Sequence, residues 1–371
     1  MKNTKILKIF VALIIITQIF IINSYAVNNK VDTNKQTNIE TNQSESEEKQ
    51  ELVKAKVIEI KNIYEIQEDK SKIQDVKLKI ISGSRKEEKI DAVYILSNEN
   101  NNKVTADNLN KGNTVYVKIT EKNNEIIKAE VEDVSRNNYI ILLIMLFLIC
   151  LAIAEKKKSI KLIINIVFSV IWIYGIFMLN VYKGYNAVLF SLLTVIAILI
   201  VDVIVEGIGK RSISAAIGTF TGVIVAGIIT MIFTKLAKVT GGEQGALILN
   251  YMNSNKNFNF RGLIFSGMII AVLGAAINNS QKITKKIAQE KVDNPEIGFK
   301  ELFKFGVDEG KEGIGKVIYV VVLAFLGITL NINVLYMSAN ANLINILNSE
   351  AIASNIICTF AAGIGIIVTI P

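Results

Sequence analysis

The chain has 371 residues, 51% of them hydrophobic, and carries a formal net charge of +8. It contains no histidine, which excludes Ser/His/Asp and Cys/His catalytic sets, the usual zinc ligand sets and histidine proton relays. We therefore predict a protein that is not an enzyme, with no catalytic residue, no metal ligand and no cofactor.

The hydrophobic residues are grouped in blocks rather than dispersed as in a soluble domain. Many blocks reach about 20 residues, the length that crosses a hydrocarbon core about 30 Å thick. Lysines flank these blocks instead of forming one patch, which favours a protein embedded in the lipid bilayer and argues against nucleic acid as a partner. Both cysteines, Cys150 and Cys358, lie inside apolar blocks, so we expect buried thiols and no disulfide.

The N-terminal segment has the composition of a targeting sequence. Three lysines precede an apolar run over residues 9–22, and the small residues Ser24 and Ala26 follow it. Residues 1–26 are therefore either a cleavable signal peptide or an uncleaved membrane anchor, and either one exports the segment that follows. Residues 27–51 are polar and lack hydrophobic periodicity, so their composition predicts a disordered linker.

Residues 52–136 show the alternation of a β domain. Val76, Leu78 and Ile80 alternate with lysines, and a second alternating run includes Val117. Turn-forming residues separate five such runs, at positions that include 82–84, 98–102 and 111–113. Five short strands in one small domain predict a β-barrel-like fold of OB or SH3-like type.

Residues 137–371 predict a transmembrane helical bundle with about seven spans. The predicted spans are residues 139–154, 160–180, 187–205, 213–233, 262–277, 317–337 and 351–370. The predicted fold class is therefore a polytopic α-helical membrane protein with a small extracytoplasmic β domain.

The distribution of lysine and arginine predicts the orientation of the bundle. With the β domain outside, the lysine-rich loops at 155–158 and 282–311 fall inside, and the loop at 338–350, which has no lysine or arginine, falls outside. The loop at 234–261, with three lysines and one arginine on the predicted outside, is the weak point of this pattern. We predict a multi-pass protein of the cell membrane with an extracytoplasmic β domain and a cytoplasmic C-terminus.

Glycines concentrate in the fourth predicted span. Gly218 and Gly222 have the four-residue spacing that lets two helix backbones approach closely in lipid, and Gly227 follows them. The alternatives are packing inside one bundle and a seam between two copies or two moving helices. In the second case a homo-oligomer or a second membrane subunit would supply the partner helix.

Asp202 and Glu206 lie four residues apart near the inner end of the third predicted span, and so on one helix face. A carboxylate inside a span is costly and often marks an ion pathway, which makes Asp202 a candidate pathway residue. Glu206 is closer to the membrane interface, where Lys210 could pair with it. Asn165 in the second predicted span is a candidate for a hydrogen bond between helices.

The fifth predicted span ends in a polar run that contains Asn278 and Asn279. After a polar loop, four glycines between positions 306 and 315 precede the sixth span. Glycines and polar residues together suggest broken or re-entrant backbone that lines a cavity, with Lys311 supplying positive charge near its opening. The alternative is a flexible inner loop with ordinary helix caps.

Several short motifs occur in the order found in one family of membrane proteins. They are LKIISG (78–83), SISAAIGT (212–219), FRGL (260–263), Gly274-Ala275, FKELFK (299–304) and GIIVTIP (365–371). In these motifs, and from about residue 54 to its end, the chain resembles the YibE/F-like membrane proteins. The resemblance implies a hydrophobic segment, an external β domain and a helical bundle, and it suggests a transport role.

The chain departs from the family pattern at two places. The family usually has Met-Asp after the Gly-Ala step, whereas this chain has Ile277-Asn278, so an amide replaces a carboxylate. The family's Gly-Arg/Lys-Asp pattern reads here as Gly310-Lys311-Glu312. If those polar groups carry the family's activity, the resemblance implies an altered or inactive member.

The sequence supports two functions from different classes. The first is a permease-like or transporter-like protein that moves a small solute or ion, whose identity the sequence does not define. The alternative is a non-catalytic membrane scaffold or sensor whose external β domain binds a partner or wall component. A polar cavity reaching Asn278 would favour the first function, and a bundle packed dry with isoleucine and leucine would favour the second.

Overall fold

The computed structural model describes residues 49–66, 71–97, 107–122, 125–155, 159–242, 258–338 and 342–370. The predicted signal peptide or anchor, residues 27–48 of the predicted linker and the predicted turn at 98–102 lie outside the described residues. The described chain divides into two compact units, residues 49–154 and residues 155–370.

Five strands of the first unit form a closed barrel. They are β1 (Lys49–Ile66), β2 (Ser71–Ile80), β3 (Lys89–Ser97), β4 (Thr114–Lys122) and β5 (Glu125–Val134). The order around the barrel is β1-β2-β3-β5-β4, and β1 closes against β4. Neighbouring strands are antiparallel except β3 and β5, which run parallel. The predicted five-stranded barrel is confirmed, with β1 beginning at Lys49 rather than at residue 52.

The barrel core comes from the inward-facing positions of the strands. Val76, Leu78, Ile80 and Val117 are each 0% exposed, because alternate residues of a strand point to one face. Gln74 continues the same alternating series in β2 and is 1% exposed although it is polar. Its Oε1 accepts a hydrogen bond from the Leu109 amide at 2.8 Å, and its Nε2 donates to the Leu109 carbonyl at 3.0 Å. This pair of bonds ties the segment before β4 to the barrel.

Two of the predicted turns contain a glycine in the left-handed region of backbone space. Gly83 has a φ of +93° and Gly112 a φ of +96°, which side chains with a Cβ rarely adopt. At Gly83 an added Cβ would also lie 2.8 Å from Oε1 of Glu51. The turns at 82–84 and 111–113 therefore depend on glycine for their conformation.

Helices make up the rest of the described chain. The barrel is followed by α1 (Asn137–Glu155). The second unit contains α2 (Ser159–Trp172), a π-helical turn (Ile173–Phe177), α3 (Met178–Tyr182), α4 (Ala187–Glu206), α5 (Lys210–Leu236), α6 (Phe260–Asp293), α7 (Phe299–Ser338), α8 (Leu343–Asn348) and α9 (Glu350–Val368). In the described residues, seven stretches are long and apolar enough to cross a membrane, with α2, the π-helical turn and α3 counting as one. This result confirms the seven predicted spans.

Helices α6 and α7 extend well beyond the spans predicted there. They have 34 and 40 residues, and neither is interrupted. Two contacts join the start of α7 to α6. A Cβ added to Gly306 would lie 2.6 Å from Cδ1 of Ile287. Lys286 of α6 forms an ion pair with Glu309 of α7. The predicted broken backbone at 274–281 and 306–315 is therefore wrong, as is its alternative of a flexible loop. Gly306 allows α6 and α7 to pack closely.

The core of the helical unit lies among α4, α5, α6 and α9. Val195, Val223, Ile269 and Ile366, one from each helix, are each 0% exposed. Of the two cysteines, Cys358 is buried as expected. The other cysteine of the chain lies on α1 and is exposed. The expectation that it is buried is wrong, because α1 is apolar all round and only 6% of its apolar window is buried.

Candidate functional site

A buried carboxylate lies between three helices of the second unit. Asp202 on α4 is 4% exposed. Its Oδ1 accepts a hydrogen bond from Nδ2 of Asn165 on α2 at 2.8 Å, and its Oδ2 accepts one from Nε2 of Gln281 on α6 at 2.7 Å. Each carboxylate oxygen therefore has an uncharged amide donor, and the two donors come from different helices.

The helical period of α4 places Asp202 in the interior. Ser191, Val195 and Ile198 are buried at spacings of three and four residues, and Asp202 continues that series. Because this face packs against other helices, the carboxylate needs hydrogen-bond donors supplied by protein. Asn165 and Gln281 supply them.

The amide of Asn165 has an unused oxygen. Its Oδ1 is buried and has no hydrogen-bond partner among the residues that the structure describes. A buried acceptor without a donor costs about 1–3 kcal/mol. Since the oxygen and nitrogen ends of an amide have similar shapes, a half-turn of the side chain would present Oδ1 to a group beside Asp202. The site therefore has ligand capacity that its hydrogen bonds leave unused.

Glu206 lies one helical turn beyond Asp202 and has charged partners. Its Oε2 lies 3.2 Å from Nζ of Lys161 on α2 and 3.3 Å from Nη2 of Arg211 on α5. Lys210, the partner suggested by spacing along one helix, is exposed. The cations that contact Glu206 come instead from α2, which packs alongside α4, and from the first turn of α5.

A second polar contact joins α6 to the end of α9. Asn279 is 2% exposed, and its Nδ2 donates a hydrogen bond to Oγ1 of Thr369 at 2.8 Å. The Thr369 hydroxyl in turn donates to the carbonyl of Ile366 at 2.6 Å. The neighbouring Asn278 is exposed on the surface of this unit. Of the two asparagines, it is Asn279 that the structure brings into the bundle.

The structure does not bring Lys311 to this polar region. Its side chain is 68% exposed and lies 3.5 Å from Asp308 on the same helix. Its partner among the described residues is Asp308, and not Asp202 or Asn279. Its charge is therefore placed on the surface of α7.

The glycines of α5 differ in how closely they pack. A Cβ added to Gly222 would lie 2.5 Å from the carbonyl oxygen of Gly365 on α9, and one added to Gly227 would lie 2.6 Å from Cε2 of Phe265 on α6. Gly218 is less closely packed, since the nearest heavy atom to a Cβ added there lies at 3.6 Å. Gly222 and Gly227 therefore serve packing within one bundle.

Sequence reasoning missed several members of the site. Gln281 was part of the polar run at the end of the fifth predicted span, but nothing in that run pointed to Asp202. Lys161, at the start of the second predicted span, was not singled out at all. Asn279 was predicted together with Asn278, and the helical period of α6 separates the two, because Val272, Ala276 and Asn279 follow the spacing of one buried face.

The site is not a cluster of several acidic ligands. Among the described residues, no group of three or more histidine, cysteine, aspartate or glutamate side chains is placed to hold a metal ion. Asp202 has amides around it, and Glu206 contacts cations. The chemistry available at Asp202 is that of a single carboxylate with amide groups beside it.

Within the described part of the chain, seven apolar helical stretches and a small β-barrel define a multi-pass membrane protein. The chain belongs to the YibE/F-like family, because the sequence model of that family, described as YibE/F-like protein, matches residues 143–371. The match begins within α1 and does not include the barrel, whereas the sequence resemblance was expected from about residue 54. Comparisons with curated proteins and with solved structures each gave no significant match.

Proposed function

We propose that this protein is permease-like and moves a small solute or ion across the membrane. The observation that carries the proposal is the Asp202 carboxylate, buried among three helices with uncharged partners. An ionisable residue within a spanning helix is costly, and such residues commonly mark substrate or ion pathways. A purely structural bundle would gain more from a well-packed hydrophobic residue at this position.

The position of Asp202 along α4 favours a site near one mouth of a pathway. It lies four residues before Glu206, the last residue of the helix, and so about 6 Å inside the helix end. Lys161, Arg211 and Glu206 form the charged layer at that end. A solute entering there would pass from a charged layer to a single buried carboxylate.

The test is transport by the purified full chain reconstituted in liposomes, with a panel of ions and small metabolites. Asp202→Asn should reduce flux of the transported solute by at least about tenfold, equal to about 1.4 kcal/mol. Asp308→Asn is the matched control, because it makes the same substitution at an exposed carboxylate of α7 that pairs with Lys311. Asp202→Asn with unchanged flux, or no flux above that of empty liposomes for any solute, would contradict the proposal.

We further propose that the barrel is of OB type and extracytoplasmic, and that the C-terminus is cytoplasmic in the cell membrane. The strand order β1-β2-β3-β5-β4 with a parallel β3–β5 pair supports the OB type, since OB folds are five-stranded Greek-key barrels. The orientation is supported by the distribution of lysines along the sequence.

A second candidate function, a scaffold or sensor, is favoured by one feature of the barrel. The C-terminal part of β1 carries Ile60, Ile63 and Tyr64, whose side chains are 37%, 46% and 44% exposed. Adjacent exposed apolar residues on a small domain are a common mark of a protein–protein contact. A photo-crosslinking residue at Tyr64 should then capture one defined partner in native membranes, and Ile63→Glu should abolish that product. No product at this position would contradict the scaffold.

A further inference from the structure

We propose that Asp202, Asn165 and Gln281 form a binding site for one dehydrated Na⁺ ion. The inference deepens the proposed function, since the ion would be the transported or coupling species at the same site. The geometry that carries it is a buried carboxylate with an amide from each of two other helices, one of which has an unmet buried oxygen.

The charge balance differs between two successive layers of the α2–α4 contact. In the outer layer, Glu206 contacts the cations Lys161 and Arg211. In the inner layer, one turn along both helices, the corresponding pair is Asp202 and Asn165. The inner layer therefore has an anion and no contacting cation among the described residues. A bound cation would supply the positive charge that Lys161 supplies in the outer layer.

The ligands available suit a hard cation. Asp202 offers two carboxylate oxygens, and the side-chain amides of Asn165 and Gln281 each offer one carbonyl oxygen. Both amides donate N–H groups to the carboxylate, and Oδ1 of Asn165 has no donor among the described residues. A half-turn of each amide would direct its oxygen toward an ion beside Asp202. The ion would thereby satisfy the acceptor that the hydrogen bonds leave unmet.

The same ligand set argues for a monovalent ion. Divalent cations are usually bound by several carboxylates, and their affinity depends on the number of ligand charges. Here one carboxylate is surrounded by uncharged amides, and no cluster of three or more acidic or sulfur ligands occurs in the described chain. One negative charge balances one Na⁺ ion and leaves the interior neutral.

Binding is measured on the purified full chain in detergent, with ²²Na⁺ and with thermal unfolding in NaCl against choline chloride at equal ionic strength. Sodium should raise the Tm of the wild type, because a ligand that binds only the folded state stabilises it. Asp202→Asn should weaken ²²Na⁺ binding by at least about 100-fold, since it removes the charge that balances the ion. Asp308→Asn should leave binding within about threefold, because this carboxylate is on the surface of α7, where it pairs with Lys311.

Gln281→Leu provides a second variant in case Asp202→Asn does not fold. It keeps the carboxylate and removes one amide oxygen, and should weaken ²²Na⁺ binding about tenfold. Absence of ²²Na⁺ binding by the wild type, equal binding by Asp202→Asn, or equal losses of binding in Asp202→Asn and Asp308→Asn would each overturn the site. Binding without any flux in liposomes would leave the site standing and refute the permease. Solute flux that is independent of sodium, in a protein that binds no ²²Na⁺, would refute the sodium site and leave the permease standing.

Discussion

Gly222 of α5 and Gly365 of α9 face each other across a close contact between these helices. A Cβ added to Gly222 would lie 2.5 Å from the carbonyl oxygen of Gly365, and one added to Gly365 would lie 2.6 Å from the carbonyl oxygen of Gly222. Both distances are far below van der Waals contact. Since lipid supplies no hydrophobic drive between helices, close backbone approach of this kind is a main source of their association.

We predict that Gly222→Leu destabilises the helical unit by more than about 3 kcal/mol, the upper range for overpacking, because neither backbone can move aside without separating the helices. Gly274→Leu is the matched control, since Gly274 lies within a long helix and has nothing within 4 Å of an added Cβ. The measurements are the yield of monodisperse protein and its Tm in detergent. Equal losses of yield and Tm in the two variants would show that close packing at Gly222 does not stabilise the helical unit.

The sequence predicted elements well where one physical period dominates. The alternation of Val76, Leu78 and Ile80 indicated a half-buried strand, and the apolar blocks indicated seven spans. Gln74 was not predicted in the core, because its burial depends on the Leu109 backbone, which is 35 positions away. A local pattern carries no information about such a partner.

The candidate site was predictable in part. Asp202 stood out because a carboxylate is rare in a spanning helix. Its partners did not, since asparagine and glutamine occur at many positions and only the packing of three helices brings Asn165 and Gln281 together. The polar run at the end of the fifth predicted span indicated both Asn278 and Asn279, and the buried face of α6 selects Asn279.

Gln74→Ala should destabilise the barrel by about 2–3 kcal/mol. The change leaves both the amide and the carbonyl of Leu109 buried without a partner, and each unmet group carries a desolvation cost. Urea unfolding measures the free energy, and hydrogen exchange at the Leu109 amide reports the local opening. Lys77→Ala on the outer face of the same strand is the control. If both variants unfold at the same urea concentration, the glutamine does not stabilise this segment.

Residues 49–136, expressed alone, should fold as a soluble β domain, because five strands enclose one hydrophobic core. Val117→Asp should unfold it, at a cost of several kcal/mol for a charge in a fully buried position. Ile127→Asp introduces the same side chain at a position that is 52% exposed and should leave the fold intact. Circular dichroism distinguishes the outcomes, and a helical or unstructured spectrum from the wild-type domain would refute the prediction.

The orientation can be tested by labelling single cysteines in a chain that lacks Cys150 and Cys358. A membrane-impermeant maleimide added to intact cells should modify Lys111→Cys in the barrel and spare Asn294→Cys between α6 and α7, because lysine-rich loops stay inside. Both positions are exposed, so accessibility in the folded unit does not limit the reaction. After the membrane is permeabilised, both cysteines should react. The reverse pattern in intact cells would invert the topology.

The two neighbouring asparagines of α6 should respond differently to the same substitution. Asn279→Leu removes the hydrogen bond to Thr369 and places a larger apolar side chain at a position that is 2% exposed, so we expect a loss of about 1–3 kcal/mol. Asn278→Leu changes an exposed side chain and should alter stability by less than about 0.5 kcal/mol. The Tm of each variant in detergent gives the comparison.

A companion substitution separates the hydrogen bond from the packing. Thr369→Val removes the acceptor hydroxyl of Thr369 at nearly constant volume, so it should destabilise the chain by about 1 kcal/mol on its own. It should add little further loss to Asn279→Leu, since the two side chains share one interaction and coupled contacts are not additive. Fully additive losses would show that the bond between them contributes nothing. A greater loss from Asn278→Leu than from Asn279→Leu would instead place the functional amide on the surface of α6.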